Sequence, residues 1–398
     1  MNAIKQNYWL SGLLLFAFLL RLFLFYVYPD QNFPDAGAYR TMGVELFSGD
    51  LVSNHIYMPL YPILTYIAGS EGVQILIDII LSVVMVYIIY ALSMQLFNNK
   101  ASALLAAFIA TLYPHFIFYS ISGLTETLFT VLLLFSFLSF YKNQFTLAIV
   151  ILALAILVRP TLDLINPLLV FIFGFFVFQN GYKKSIKHVF IYTLVYFTLM
   201  APWWIYQNNK YGDFVRLTLA DGVVLYSGNN SMNVTGGGVG RRNGVSDADL
   251  RIFNNIKDPI ERNNAMKEEA FNYIIDNPTH FIKMAVIKLV RFWRLWPYTE
   301  HYQQWYIIAS SLLSYGIVLI FSIGFIIKHS REKFLLLLPI FILIMYLSVV
   351  HMVTIGSIRY RFPLEPFLII FASYYFVDLT KNFSWLNKIQ DLVKYLNK

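Results

Sequence analysis

The sequence predicts an all-α membrane protein with about ten transmembrane helices. Hydrophobic residues make up 58% of the 398 positions and charged residues only 13%, whereas soluble domains carry about 25% charged residues. The mean hydropathy is +0.60, and aromatic residues reach 18%, which is typical of lipid-facing helices and interfacial belts. The chain contains no cysteine, so disulfides, thiol catalysis and cysteine metal sites are excluded.

Apolar runs bounded by charged or turn residues define the expected spans. In chain order they are Tyr8–Val27, Val73–Phe97, Ala101–Tyr119, Leu124–Tyr141, Phe145–Val158, Leu162–Phe178, Val189–Tyr206, Trp305–Ile327, Phe334–Val353 and Pro363–Val377. The first run is too long for a signal-peptide core, so we expect it to remain as an anchor. The runs that start at Phe145 and Leu162 are short, and one of them could be a re-entrant segment that does not cross the membrane fully.

The distribution of cations predicts the topology. Ten crossings put both termini on one side, and most lysines lie at that set of helix ends, including the cluster at 183–187 and the C-terminal tail. The positive-inside rule then makes both termini cytoplasmic. We expect a bacterial cytoplasmic membrane. The formal charge of +8 follows from these lysines, and without a basic stripe we expect no nucleic-acid partner.

Three parts are expected along the chain. Residues 1–206 form an N-terminal transmembrane catalytic module that includes a first extracytoplasmic loop at 29–72. Residues 207–302 form an extracytoplasmic segment, which begins with a glycine-rich stretch and contains a basic and aromatic interfacial helix at His280–Trp296. Residues 303–398 supply the last transmembrane helices and a cytoplasmic tail.

Asp35 is the first candidate for chemistry, because it follows the first span directly. A carboxylate at the boundary between lipid and water could act as a general base on a lipid-borne substrate. The alternative is structural, since Pro34-Asp35-Ala36 is also a good start signal for a helix and aspartate is a preferred N-cap. The two interpretations are compatible.

Glu126 is the second candidate and lies less than one turn into the fourth span, at its outer end. An intramembrane carboxylate suggests a functional site, because its burial is costly unless it is paired. The alternative is capping, with Ser120 or Ser122 at the N-cap and the acid favoured by the helix dipole. Asp35 and Glu126 could together hold a divalent cation, although no complete ligand set is evident, so no cofactor is assigned.

Arg359 and Arg361 break the positive-inside rule at the outer end between the last two spans. A pair of guanidinium groups suits a phosphate or pyrophosphate, and snorkelling to lipid headgroups is the alternative. His351 either supports the same site or is a packed polar residue. Arg21, inside the first span, could pair with a carboxylate or a substrate phosphate.

Two further pairs favour structural interpretations. Arg159 and Asp163 stand four residues apart and are expected to neutralise each other. Gln74 and Asp78 share one face of the second span and are expected to form interhelical hydrogen bonds.

Four patches resemble a known family. The chain is similar to bacterial membrane glycosyltransferases of the GT-C fold, most of all to the protein-mannosyltransferase-like family 39, which includes the lipid A aminoarabinose transferases. The patches are Pro34-Asp-Ala-Gly-Ala-Tyr39 with Met58-Pro-Leu-Tyr-Pro62, Ser122-Gly-Leu-Thr-Glu126, Pro202-Trp-Trp-Ile-Tyr-Gln-Asn208 leading to Leu225-Tyr-Ser-Gly-Asn-Asn230, and Arg359-Tyr-Arg-Phe-Pro-Leu-Glu-Pro366.

The resemblance implies a polyprenyl-phosphate sugar donor, a catalytic base in the first extracytoplasmic loop and inversion at the anomeric carbon. Asp35 matches the base and Glu126 the second acid. Arg359 and Arg361 match basic residues that bind the donor phosphate. Substrate-binding roles extend to Tyr39, Tyr61, Arg21 and His351. The acceptor would be an extracytoplasmic glycolipid, protein or cell-envelope glycan, with membrane lipids around the protein.

The chain departs from the family in two ways, and two other functions compete with this one. Many relatives have an arginine where this chain has Gln207, and we expect no sizeable soluble domain after the last span.

A transporter or flippase would place polar residues and broken helices near the bilayer midplane, whereas the charges here cluster at the outer rim. A surface-polysaccharide polymerase or ligase is the third possibility.

Overall fold

The computed structural model describes residues 8–28, 33–48, 57–238, 250–253, 255–298 and 302–381. Within these ranges the chain forms helices, turns and loops and no strand, which confirms the predicted all-α class. Three predicted features lie partly or wholly outside the described residues. They are the first loop, the glycine-rich stretch, for which residues 239–249 are not described, and the cytoplasmic tail at 382–398.

The described helices are numbered here in chain order. They are α1 Tyr8–Val27, α2 Pro34–Ser48, α3 Leu60–Ala68, α4 Glu71–Phe97, α5 Lys100–Leu112, α6 Pro114–Ser120, α7 Glu126–Tyr141, α8 Phe145–Ile156, α9 Asn166–Val177, α10 Tyr182–Tyr211, α11 Asp221–Gly228, α12 Pro259–Asp276, α13 Pro278–Trp293, α14 Trp305–His329, α15 Phe334–Val353 and α16 Ile358–Thr380.

Six of these helices are long and apolar enough to cross a membrane, namely α1, α4, α10, α14, α15 and α16. A seventh span arises if α5 and α6 are one crossing, bent by 54°. The bend falls at Tyr113, which is extended because Pro114 follows it. All ten predicted runs overlap helices, but α7, α8 and α9 are shorter, so the number of ten crossings stays a prediction.

The centre of the protein is α7, a helix that is buried on every side. Fourteen of its sixteen residues are buried, and it packs against α4 and α8. A helix that is apolar all round belongs in a core and not at a lipid boundary. The buried position of α7 means that its first residue, Glu126, lies inside the protein and not at its rim.

The first loop is docked onto the membrane helices through α2 and α3. The Tyr61 hydroxyl donates to Asp78 Oδ2 at 2.6 Å, and Gln74 Nε2 donates to the Tyr61 oxygen at 3.2 Å and to the Gly123 carbonyl at 3.5 Å. This network confirms the expected interhelical role of Gln74 and Asp78. It connects the first loop, α4 and the turn that precedes α7.

The predicted interfacial helix corresponds to α13, and its exposed stripe is apolar. Ile282, Val286 and Val290 are each more than half exposed, at the i, i+4, i+8 spacing of one helix face. Lys288 and Arg291, which belong to the predicted basic face, are buried instead. Contact of this apolar face with the bilayer stays a prediction.

Lys288, in α13, joins this helix to the end of α11 and to the end of α15. Its ammonium is fully buried and donates to Asn229 Oδ1 at 2.9 Å and to the Val353 carbonyl at 3.1 Å. Arg291 Nε donates to the Gly356 carbonyl at 2.8 Å, and the Gly356 N–H donates to the Gly236 carbonyl at 2.9 Å. A Cβ on Gly356 would collide with the Lys288 backbone, so this close approach requires glycine.

A second buried junction holds the start of α16. Arg361 and Glu365 are both fully buried and pair at 2.9 Å, and His115 Nδ1 lies 3.0 Å from the same carboxylate. Arg361 also donates to the carbonyls of Phe292 and Arg294 at 2.9 and 2.7 Å, and its guanidinium stacks on Tyr315. The junction therefore connects α6, α13, α14 and α16.

Replacing Arg361 by methionine should destabilise the fold strongly. The change removes the guanidinium from the buried Glu365 carboxylate, and breaking such a pair costs about 3 kcal/mol or more. Lys381→Met is the control, because its partner Asp378 lies at 3.0 Å in a pair that is half exposed and contributes less than about 1 kcal/mol. Chemical unfolding in detergent measures both. Equal losses of unfolding free energy in the two variants would contradict the assignment.

The stability of the protein should also depend on Lys288 in alkaline solution. Burial lowers the pKa of Lys288 from 10.5 to about 8, so between these pH values the unfolded chain binds more protons than the folded one. The folded state therefore gains stability as the pH rises through this window, by about 3 kcal/mol in total.

Lys288→Met lacks this titration. Unfolding free energies measured from pH 8 to pH 10.5 should thus shift in favour of the wild type relative to the variant. The exposed Lys283 on the same helix supplies the control, and Lys283→Met should reproduce the pH dependence of the wild type. Parallel curves for the wild type and Lys288→Met would refute the prediction.

Candidate active site

One guanidinium group connects the two acids that the sequence singled out. Arg359 NH1 donates to Asp35 Oδ2 at 2.6 Å, Arg359 Nε donates to Glu126 Oε1, and Arg359 NH2 lies 3.4 Å from Glu126 Oε2. Asp35 is half-buried and Glu126 almost completely buried. The structure therefore brings three of the predicted site residues into direct contact.

Arg159 completes the cluster from the loop after α8. Its NH1 donates to Glu126 Oε1 and to Thr125 Oγ1 at 3.2 Å. Two carboxylates and two guanidinium groups thus form a cluster with no formal net charge. Burial of each charge is tolerable because every ion in the cluster has an opposite partner.

Three helices begin at this cluster. Asp35 is the second residue of α2, Glu126 the first of α7 and Arg359 the second of α16. Helix N-termini carry partial positive charge and unpaired N–H groups, which stabilise anions. The cluster is therefore electrostatically suited to hold carboxylates at rest and an additional anion such as a phosphate.

The structure differs from the helix-capping alternatives that the sequence left open for Asp35 and Glu126. Asp35 lies within the first turn of α2, and its carboxylate contacts Tyr57 and Arg359. Ser120 and Ser122 donate to the carbonyls of Ile117 and Phe118 and so do not cap α7. The acid at the start of α7 is thus bound by arginines and not by a capping hydroxyl.

Tyrosines of the first loop support the acidic side of the cluster. The Tyr57 hydroxyl donates to Asp35 Oδ1 at 3.2 Å, and the Tyr39 ring contacts the rings of Tyr57 and Tyr61 at centroid distances of 4.5 and 5.2 Å. Burial and the nearby Glu126 raise the pKa of Tyr39 to about 12, and burial and Asp35 raise the pKa of Tyr57. Both hydroxyls are therefore protonated at neutral pH, and Tyr57 is a hydrogen-bond donor to Asp35.

A small cavity adjoins the cluster. Its volume is about 10 Å³, and Glu126, Arg159, Thr161, His351 and Arg359 line it, so it has room for about one water molecule. His351 stacks on Tyr360 with ring centroids 4.5 Å apart, and its Nδ1 lies 3.2 Å from the Ile355 carbonyl. His351 thus adjoins the site and is also packed.

The predicted pairing of Arg159 with Asp163 is wrong. Asp163 accepts from Tyr196 and from Arg216, whereas Arg159 contacts Glu126. The short connection between α8 and α9 turns so that the two side chains leave it in different directions. A sequence signal for Arg159 does exist, because it breaks the positive-inside rule as Arg359 does. Tyr57 carries no such signal and was missed.

Arg361 and Arg21 lie outside the cluster. Arg361 is fully buried in the junction with Glu365, so of the two arginines expected to bind phosphate only Arg359 lies in the cluster, together with Arg159. Arg21 is fully buried, and its described partners are Ser82 Oγ at 2.9 Å and main-chain carbonyls at 3.1–3.4 Å. Of the two alternatives for Arg21, a carboxylate partner is not what the described residues supply, because neutral acceptors bind its guanidinium; a substrate phosphate stays a prediction.

The cluster does not fit the divalent cation that Asp35 and Glu126 could have held. Arg359 lies between the two carboxylates, and Arg159 binds Glu126 from another direction. A metal ion at this point would face two guanidinium groups. Across the described ranges, no group of three or more histidine, aspartate or glutamate side chains is arranged to hold a metal ion.

Comparisons with known proteins agree with this architecture. Residues 60–206 match the family model described as dolichyl-phosphate-mannose-protein mannosyltransferase. The crystal structure of the apo oligosaccharyltransferase of Archaeoglobus fulgidus is similar, with 13% identity and a TM-score of 0.57 over 98% of this chain and 52% of that one. The oligosaccharyltransferase AglB of Archaeoglobus fulgidus, in complex with an inhibitory peptide and a dolichol-phosphate, gives 13% identity and a TM-score of 0.53 over 97% and 52%.

These similarities bear on the fold and the family. The chain spans about half the length of the two solved chains that it matches, and no curated protein matches it. At 13% identity the likeness to the solved structures shows the fold alone. The comparisons confirm the resemblance predicted from the sequence: the chain is a multi-pass membrane protein of the GT-C fold, and its residues 60–206 carry the pattern of the protein-mannosyltransferase family.

Proposed function

We propose that this chain is a membrane glycosyltransferase, which moves a sugar from a polyprenyl-phosphate donor to an extracytoplasmic acceptor with inversion. The observation that carries the proposal is the contact of Arg359 with both Asp35 and Glu126 at the start of three helices. It combines an acid that water can reach with positive charge for a leaving phosphate. The family match over residues 60–206 supports a lipid-linked donor.

The arginines stabilise the leaving group. The bond between the anomeric carbon and the phosphate oxygen breaks, its electron pair stays on that oxygen, and polyprenyl phosphate departs with additional negative charge. Arg359 and Arg159 would donate to that oxygen, and such preorganised donors commonly supply a large part of the catalysis. Glu126 binds both guanidinium groups and so acts as the positioning residue.

Asp35 is the proposed base. A new bond forms between the acceptor atom and the anomeric carbon, on the face opposite the departing phosphate, and the acceptor proton moves to the Asp35 carboxylate. Donor phosphate competes with Asp35 for Arg359, which releases Oδ2 for this proton. Tyr57 keeps the carboxylate oriented through Oδ1, at 3.2 Å in the structure. A general base in this position contributes about 10²- to 10⁴-fold to the rate.

The finer features remain part of the proposal. The donor sugar would be a hexose or a pentose, and the acceptor a glycolipid, a protein or a cell-envelope glycan. The membrane would be the bacterial cytoplasmic membrane, with both termini inside and the cluster outside. Residues 207–302 would close over the site or receive the acceptor, because Lys288 and Arg291 attach this segment just before Arg359.

Purified protein in vesicles should consume a lipid-linked monosaccharide and release polyprenyl phosphate. Radiolabelled donors with one sugar and with an oligosaccharide are compared, and the two products are separated by chromatography. Exclusive use of the oligosaccharide would identify a polymerase or ligase instead. Movement of the intact lipid across the bilayer without sugar transfer would identify a flippase, and either result contradicts the proposal.

Asp35→Asn should lower the turnover about 10²- to 10⁴-fold, because the amide cannot accept the acceptor proton. Donor binding should change little, since Arg359 and Arg159 are intact. Glu71→Gln is the matched control, because Glu71 is an exposed acid of the same loop region, paired with Arg40 at 3.2 Å. Initial rates at saturating donor measure both variants. Wild-type turnover in Asp35→Asn would rule out the role as a base.

A further inference from the structure

A second polar feature lies on the other side of the segment that carries Arg159. Helix α8 ends at Ile156 and α9 begins at Asn166, so a connection whose regular structure is one short 3₁₀ turn at Pro160–Leu162 interrupts an apolar part of the chain. Asp163, in this connection, has a side chain that is almost completely buried. Irregular backbone and charge at membrane depth are tolerated where they line a cavity, and they commonly mark a binding site.

The partner of Asp163 is held in place by α10. After this helix the chain turns back along its last turns, and Trp204 Nε1 donates to the Arg216 carbonyl at 2.7 Å. Trp203 Nε1 donates to the Leu217 carbonyl at 2.8 Å, and Gln207 Nε2 donates to the carbonyls of Val215 and Leu217 at 3.1 Å. The backbone at Arg216 is therefore fixed to the helix on both sides.

A cleft of about 370 Å³ lies between these elements. This volume is within the range of ligand-binding pockets. Its walls are mostly aromatic and include Tyr192, Tyr196, Phe197, Trp204 and Phe214. Phe197 and Phe214 are each more than half exposed, and α10 is one of the helices able to cross the membrane. The cleft is therefore accessible from the apolar surface of α10, which acyl chains would contact in a membrane.

The polar groups of the cleft retain capacity to bind an anion. Asp163 takes one terminal nitrogen of Arg216, and a guanidinium has five N–H donors in total. The Tyr196 hydroxyl also interacts with this guanidinium, and the Arg216 side chain is 54% exposed, so N–H donors remain accessible to a ligand. Tyr192, which also lines the cleft, has a buried hydroxyl without a hydrogen-bond partner among the described residues.

We propose that this cleft binds a membrane lipid with a phosphate headgroup. The phosphate lies on Arg216, which Asp163 orients, and the first part of the lipid chain lies against the aromatic side chains of α10. Arginine suits the headgroup because its planar donors bind a phosphate in pairs. The inference goes beyond the proposed transfer reaction, since binding requires no sugar and no catalysis.

Binding to the purified full-length chain tests the proposal. Native mass spectrometry is carried out with dioctanoyl phosphatidic acid, dioctanoylglycerol and inorganic phosphate as separate probes. The wild type should bind the phosphatidic acid more tightly than either of the other probes. Arg216→Gln should weaken that binding roughly ten- to hundredfold, the effect of losing charge-assisted hydrogen bonds. Arg40→Gln, which removes a partly buried arginine elsewhere, should bind like the wild type.

Two further variants separate the chemistry of the headgroup from a general loss of folding. Arg216→Lys keeps the charge but loses the paired planar donors, and should recover part of the affinity that Arg216→Gln loses. Phe197→Ala keeps the guanidinium and should weaken lipid binding about fivefold by loss of apolar contact. Unchanged binding by Arg216→Gln overturns the proposal, as does equal affinity for dioctanoylglycerol or for inorganic phosphate. These outcomes are independent of whether sugar transfer is observed.

Discussion

The guanidinium of Arg359 is the interaction on which the site depends. It bridges Asp35 and Glu126, which are 324 and 233 residues away in the chain. A buried charge without a partner costs several kcal/mol, so the bridge requires that the starts of α2, α7 and α16 meet. The same requirement underlies the proposed chemistry, because helix N-termini, two acids and two arginines converge at one point.

Buried polar junctions around the cluster hold these helix ends in position. The Tyr61–Asp78 hydrogen bond docks the first loop, and the Arg361–Glu365 pair anchors α16. Lys288 attaches α13 to the end of α15. None of the three reaches the cluster itself. They supply the rigid support without which the donors of an active site lose their preorganised geometry.

The connection between α8 and α9 relates the cluster to the aromatic cleft. Arg159 at its start contacts Glu126, Asp163 at its end contacts Arg216, and Tyr346 donates to the Thr161 carbonyl between them at 2.9 Å. A lipid in the cleft would therefore lie one short segment away from the proposed reaction. This arrangement suits an enzyme whose substrates arrive through the membrane.

The amino-acid sequence by itself determined the all-α membrane class and the helical runs, and it singled out Asp35, Glu126 and Arg359 as candidates. Those properties are local: apolar length sets a helix, and a charge at an outer helix end stands out against lipid. Only the tertiary structure decided the partners. The sequence favoured a structural pair for Arg159 and phosphate binding for Arg361, yet Arg159 enters the cluster and Arg361 is buried in a structural junction. The choice depends on contacts between residues far apart in the chain, which no local pattern encodes.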